Sequence, residues 1–248
     1  MIAIDVGNTH IKAALFEGDL IRDILIVPTL QCINDKKYLE KLHFPAINEK
    51  KDVALSSVNT KAAEIIIKDF ALTGAKVLPV TVNTEMGIKN LYRSKETLGI
   101  DRLVNASAVY HFYPRNMAYV IIDMGTATTI DFMTSKGEFL GGAIAPGLLS
   151  SLSGLNANAP ALPVIKPLPA NKAIGATTAE CMASGSVVGH AAMIREISRI
   201  MSDEHGEKAG IILTGGLSAL VENWFSDSTI DRNLTLKGIR AIYELNRY

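Results

Sequence analysis

Cysteine is scarce. Only Cys32 and Cys181 occur in 248 residues, far apart and outside any C-x-x-C spacing. That excludes a disulfide framework and a cysteine-based zinc site, and it suits a reduced compartment. An excess of either charge is also missing, since 25 Lys and Arg are matched by 25 Asp and Glu. This argues against a global attraction to nucleic acid or to a membrane surface. No apolar run reaches the ~18 residues needed to span a bilayer, and "AYVIIDMG" is cut by Asp123. The first apolar run is broken at Asp5 and has no basic segment ahead of it, unlike a signal peptide. There is no G-x(4)-G-K-[ST] loop, no G-x-G-x-x-G fingerprint, no low-complexity tract and no helix-turn-helix signal. These absences predict a cytoplasmic globular protein with neither nucleic acid nor membrane as a partner.

What is present is apolar and patterned. Hydrophobic residues make up 48% of the chain, enough for a sizeable core. The length allows one large domain or two of about 120 residues. Residues 2–6 and 10–16 read as strands joined by the turn "GNTH", where Gly7 and Asn8 tolerate the positive φ of a tight hairpin. A strand at 52–58 follows, then a helix at 61–74 closed by Gly74, a strand at 75–82 and a helix at 99–113. The second half restarts with strands at 118–123 and 129–133 and a glycine-rich third strand, "GEFLGGAIAPG". Helices are expected at 148–158 and 179–202, then strand, glycine turn and helix in "AGIILTGGLSALVENW", and a closing helix in "LKGIRAIYELNRY". The two halves begin alike, which points to a duplicated α/β domain.

The repeated opening carries the first chemistry. "DVGNTHIK" and "DMGTATTID" each place a carboxylate at a strand end, then a glycine, then a small hydroxyl residue. A core strand gains nothing from a buried carboxylate, so Asp5 and Asp123 must be paired, solvated or used. Glycine lets backbone N–H groups approach an anion with no Cβ in the way. Thr9 and Thr126 add hydroxyl donors, and Lys12 adds a point charge. Asp5 and Asp123 can hold a cation that offsets phosphate charge. Either turn alone reads first as a plain hairpin beside a solvated Asp. As a pair in equivalent places they read as two halves of one phosphate site.

Two further stretches have both a chemical and a purely structural reading. "LTGGLSALV" ends a strand at Gly215-Gly216, which can present bare backbone to a phosphate or ring, or can be a tight strand-to-helix turn. "LGIDRLVNA" sets Asp101 beside Arg102 at a helix start. Asp101 can take a hydroxyl proton and Arg102 can grip a carboxylate with two parallel hydrogen bonds. The pair can also be a capping Asp and a surface Arg. His10 reads as an exposed turn neighbour. His190, Trp224 and Cys181 read as packing groups, and the small residues of "MASGSVVGHAAMI" allow close helix approach, either within the chain or at a dimer face.

"DVGNTHIK", "LGIDR", "DMGTATTID", "GGAIAPG", "ALP", "IGATTAECMASG" and "LTGG" follow in that order across nearly the whole chain. Together they resemble the type III pantothenate kinases, a family of the acetate-kinase, sugar-kinase, Hsp70 and actin superfamily. The resemblance implies two ribonuclease-H-like domains with mixed sheets flanked by helices and an active site in the cleft between them. We draw these as residues 1–116 and 117–248, with the last helix able to return to the first. It implies ATP-dependent phosphorylation of pantothenate to 4′-phosphopantothenate, the first step of coenzyme A biosynthesis. It also implies a homodimer, Mg2+ with ATP, and a monovalent cation, K+ or NH4+.

By matching positions, the resemblance makes Asp5, Val6, Gly7, Asn8, Thr9, His10, Ile11 and Lys12 the ATP phosphate loop, with Thr126 a further ATP contact. It makes Asp101 the catalytic base and Tyr92, Gly99, Ile100, Asp101, Arg102 and Thr178 the pantothenate site. Asp123 becomes the monovalent-cation ligand. Two departures stand out: Thr177 replaces the family's usual Asn, and Ser94-Lys95 replaces Asn-Pro. The competing expectations are a kinase for another small hydroxylated substrate and a nucleotide-binding regulator of the same fold without turnover. The intact Asp5, Asp101, Arg102 and Asp123 favour catalysis.

Overall fold

The computed structural model describes residues 1–44 and 51–247. In chain order the elements are β1 (Ile2–Val6), β2 (His10–Glu17), β3 (Leu20–Pro28), α1 (Thr29–Asn34), α2 (Lys36–Lys41), β4 (Val53–Ser57), α3 (Thr60–Leu72), β5 (Val77–Pro79), β6 (Lys89–Asn90), α4 (Ile100–Phe112), β7 (Ala118–Met124), β8 (Ala127–Met133), β9 (Glu138–Pro146), α5 (Leu148–Asn158), α6 (Thr178–Ala183), α7 (Gly189–His205), β10 (Ala209–Thr214), β11 (Thr229–Ile230) and α8 (Leu234–Asn246). The chain divides into two compact units. One holds Met1–Ile88, Tyr92–Tyr113 and Leu234–Tyr248, and the other holds Lys89–Leu91 and Pro114–Asn233.

The first unit is built on a sheet of order β3-β2-β1-β4-β5. β1 alternates, so Ile2, Ile4 and Val6 face one side with Ile11, Ala13, Leu15, Val53 and Leu55 of the flanking strands. Ala62, Ala63, Ile66 and Phe70 of α3 recur at helical spacing and cover that side. Asn59 caps α3 by accepting from the Ala62 N–H at 3.1 Å, and Gly74, at φ +73°, follows its end. The other side of the sheet carries Ala3, Ala14 and Ala54, with Asp5 flanked by Lys12 and Ser56. α4 and α8 pack on each other and against this sheet. Their approach is close: a Cβ on Gly238 would stand 2.2 Å from the Val104 carbonyl oxygen.

The second unit repeats the first. Its sheet runs β11-β10-β7-β8-β9-β6. β7–β8 and β8–β9 are antiparallel and β7–β10 and β10–β11 parallel, matching β1–β2, β2–β3, β1–β4 and β4–β5 in turn. Both second hairpins carry a register shift at the same place, Leu15/Phe16 in one and Phe132/Met133 in the other. A shared irregularity of this kind is the mark of a repeated unit. Val120, Ile122, Met124 and Ile130 pack with Leu148, Leu152, Val187, Ala191 and Ile194 to form its core.

Several sequence expectations need correcting. β3 is absent from the sequence reading because "LIRDILIVP" does not alternate: Leu20, Ile24 and Ile26 are exposed on an edge strand. The strand expected at 75–82 is only Val77–Pro79, since Pro79 has no N–H to continue a ladder. No α-helix follows Gly215-Gly216. Leu217 N–H donates to the Met124 carbonyl at 3.2 Å, and only short 3-10 turns at Ser218–Leu220 and Glu222–Trp224 form. The expected helix at 179–202 runs over Thr178–His205 with a π-turn at Ser184–Val188. The closing helix is Leu234–Asn246, and Tyr248 lies outside the described residues. Cys181 is exposed and fills no core. Among the described residues, no helix is long and apolar enough to cross a membrane.

Candidate active site

The Asp5–Lys12 turn sits at the end of β1. Asp5 and Lys12 are cross-strand neighbours, both half-buried. Val6 and Ile11 point into the core, so any contact they offer a ligand is through backbone. Asn8, Thr9 and His10 are exposed at the tip. Gly7 N–H donates to the His10 carbonyl at 3.0 Å, and a Cβ on Gly7 would stand 2.9 Å from that oxygen. Thr29, at the start of α1, fixes the turn from outside. Its hydroxyl donates to the Gly7 carbonyl at 2.8 Å and its N–H to the Thr9 carbonyl at 3.0 Å. Sequence reasoning passes over Thr29, which has no local signal.

The same unit carries Tyr92, Gly99, Ile100, Asp101 and Arg102. Gly99 stands at the N-terminus of α4 and Asp101 lies in its first turn. Asp101 Oδ1 accepts from the Arg102 backbone N–H at 2.9 Å. A Cβ on Gly99 would stand 2.5 Å from Asp101 Oδ1, so only glycine leaves room for this carboxylate. Burial pushes the Asp101 carboxyl above its ordinary range; the Arg102 N–H and the Arg102 charge oppose the shift but do not cancel it. The sequence leaves open which effect wins, and desolvation does. Arg102 is buried, 5% exposed, with its guanidinium carbon 5.4 Å from the Tyr92 ring centre. That contact draws on cation–π attraction and holds the fork in place. Ile100 is buried and anchors the turn. Ser94 opens the 3-10 turn at Lys95–Thr97, and its carbonyl accepts from the Thr97 hydroxyl at 3.0 Å.

Asp123, Thr126 and Thr178 belong to the second unit. Three glycine turns meet at the end of β7. Gly125 N–H donates to the Ala127 carbonyl at 3.0 Å. The Thr126 carbonyl accepts from Gly147 N–H at 3.1 Å and from the Ser150 hydroxyl at 2.6 Å. A Cβ on Gly147 would stand 2.3 Å from the Gly125 carbonyl oxygen. Gly215, at φ +90°, leaves the space in which the Asp123 carboxylate sits; a Cβ there would lie 2.6 Å from Asp123 Oδ1. Sequence reasoning marks the "GGAIAPG" exit as glycine-rich but does not reach Gly147 and Ser150 as supports of the turn. Below the turn, Thr128 Oγ1 and His190 Nε2 share a hydrogen bond of 2.8 Å between two buried side chains. Burial lowers the His190 pKa, favouring the neutral ring.

Thr178 is exposed at the start of α6. Thr177 is the N-cap of that helix, and its hydroxyl accepts from the Glu180 N–H at 3.2 Å. Asn and Thr both serve at this position, so the Thr177 departure keeps the local geometry.

A family model described as type III pantothenate kinase matches residues 1–200. The chain belongs to the type III pantothenate kinase family. It is thereby an ATP-dependent kinase that phosphorylates pantothenate in coenzyme A biosynthesis. It is 32% identical over 258 residues to the type III pantothenate kinase of Dehalococcoides mccartyi strain CBDB1, covering 100% of this chain and 96% of that protein. It is 33% identical over 256 residues to that of Anaeromyxobacter sp. strain Fw109-5, covering 100% of each. A solved structure of a conserved putative Baf family transcriptional activator from Campylobacter jejuni matches with a TM-score of 0.68 at 19% identity, covering 99% of this chain and 98% of that one. At that identity the likeness speaks to fold alone.

Proposed function

We propose that Asp101 is the general base of this pantothenate kinase. The observation that carries the reading is the Asp101 carboxylate, oriented at 2.9 Å by the Arg102 N–H and made more basic by burial. A base works best when its pKa approaches the operating pH, and the shift runs in that direction. Asp101 takes the proton of the terminal hydroxyl of pantothenate as that oxygen attacks the γ-phosphorus of ATP. The bond from that phosphorus to the bridging oxygen breaks, and ADP leaves. Tyr92, Gly99, Ile100, Arg102 and Thr178 form the pantothenate site, with Arg102 bound to the substrate carboxylate. Such transfer depends mainly on positioning and charge neutralisation.

In this reading the 5–12 turn and Thr126 cradle the phosphates through backbone N–H groups, Lys12 and hydroxyls. Among the described residues no three His, Cys, Asp or Glu side chains gather as a metal cage. That fits Mg2+ carried in on the ATP phosphates, with Asp5 as its protein partner. Mg2+ so bound supplies neutralisation of the phosphate charge. Asp123 is proposed to hold K+ or NH4+, with its carboxylate set against Gly215 at the end of β7. The exposed apolar side chains Ile144, Leu149, Leu155, Val164, Leu168 and Ile174 of the second unit support a homodimer. We take 1–116 and 117–248 as the duplicated halves, with the last helix, Leu234–Asn246, packed on the first, and the cytoplasm as the setting.

The test is mass detection of 4′-phosphopantothenate from purified protein, pantothenate, ATP and Mg2+, with and without K+. Product that depends on K+ is expected. Product made equally well without K+ or NH4+ removes the role given to Asp123. No product under either condition removes the assignment of substrate.

A further inference from the structure

Ser56 is fully buried on β4, and its hydroxyl has no hydrogen-bond partner among the described residues. Native proteins seldom bury a hydroxyl unpaired, and each such case asks for an explanation. Its place in the sheet supplies one. Ser56 is the register neighbour of Asp5 across the parallel β1–β4 pair, and Lys12 is the neighbour of Asp5 on the other side. Register neighbours point to the same face. Lys12, Asp5 and Ser56 therefore form one row across the end of the sheet. The surrounding positions of that face, Ala3, Ala14 and Ala54, carry no polar side chain. Alanine would fit equally well at 56, with nothing left unpaired.

The second unit has the same arrangement. There the register neighbour of Asp123 on β10 is Thr214, again a hydroxyl residue and again buried. Both halves thus set a buried hydroxyl beside the strand-end carboxylate, on strands that hold the same position in their sheets. The strand spacing of about 4.8 Å lets a carboxylate and a hydroxyl on adjacent strands reach hydrogen-bond distance after one side-chain rotation.

We propose that Ser56 is a positioning residue for Asp5: its hydroxyl donates to the Asp5 carboxylate when Mg·ATP is bound and fixes the oxygen that faces the metal. Lys12 flanks Asp5 on the opposite side. The inference rests on the role given to Asp5 above. Outer groups that orient a metal-facing ligand commonly matter by about 10-fold or more in metal affinity or activity.

The experiment compares wild type, Ser56→Ala, Ser56→Thr and Asp5→Asn. It reads thermal midpoint, calorimetric binding of ADP with and without Mg2+, and turnover against Mg2+ concentration. Ser56→Ala is expected to keep or raise the thermal midpoint and to bind metal-free ADP as wild type does. It should weaken Mg·ADP binding and raise the half-saturating Mg2+ by about 10-fold. Ser56→Thr, which copies the second unit, should recover most of the loss. Wild-type Mg2+ dependence in Ser56→Ala, while Asp5→Asn is impaired, overturns the role of Ser56 alone. Wild-type Mg2+ dependence in Asp5→Asn overturns the reading of Asp5 itself. A Ser56→Ala protein that is clearly destabilised, with unchanged metal dependence, makes the hydroxyl structural and also overturns the proposal.

Discussion

Gly99 and Asp101 share one small space: the missing Cβ of Gly99 is what allows the Asp101 carboxylate to turn back on the start of α4. Gly99 has φ −59°, which any residue adopts, so glycine is needed here for space and not for backbone freedom. Gly99→Ala would keep the fold and push the carboxylate aside. A misplacement on the order of 1 Å costs about 10²-fold in rate. We predict a kcat lower by roughly that factor with an unchanged melting temperature, checked by steady-state kinetics and calorimetry.

Asp101 also bears on stability. Its pKa in the folded protein is raised, so the native state holds the proton more tightly than the unfolded chain does. Stability from this group is present at acid pH and is lost as pH rises through the folded value. At neutral pH the ionised carboxylate is a cost. Asp101→Asn should therefore melt higher than wild type at pH 7, and the difference should shrink toward pH 4. Equal melting temperatures across that range would contradict the burial argument.

Gly215 and Gly216 are adjacent but not equivalent. Gly215 has φ +90°, and a Cβ there would meet Met124 backbone atoms at 2.5 Å as well as Asp123. Gly216 has nothing within 4 Å of the same position. Gly215→Ala should cost about 1–3 kcal/mol of stability and reduce the response to K+. Gly216→Ala should stay within about 0.5 kcal/mol. Denaturant titrations with and without K+ distinguish the two.

The N-cap role of Thr177 gives a mild test. Thr177→Asn should preserve stability and the KM for pantothenate, whereas Thr177→Ala should lose about 1 kcal/mol and raise that KM. A Thr177→Asn enzyme as impaired as Thr177→Ala would show that the hydroxyl does more than cap.

How much of this was legible in the sequence depended on the kind of signal. The β1–β2 and β7–β8 hairpins are legible because Asp5-x-Gly and Asp123-x-Gly interrupt continuous apolar runs, and the α5 reading of 148–158 matches Leu148–Asn158. β3 could not be read, because an edge strand with Ile24 and Ile26 exposed has no alternation to detect. The turns after β10 read as a helix in sequence because Ser218–Trp224 has helical spacing, while the Leu217–Met124 hydrogen bond that replaces it is a long-range contact. The helix start marks Asp101 and Arg102 as candidates, while the balance between burial and charge depends on the packed structure. Thr29, Gly147 and Ser56 act through strands distant in sequence, and no local pattern marks them.

The role of Asp101 is tested most directly by 31P NMR of pantothenate and ATP with wild-type protein and with folded Asp101→Asn, at equal concentration and saturating Mg2+ and K+. Wild type should give a new phosphomonoester resonance, and the variant a rate lower by about 10²–10⁴-fold. A folded Asp101→Asn that forms the product at the wild-type rate would contradict that role.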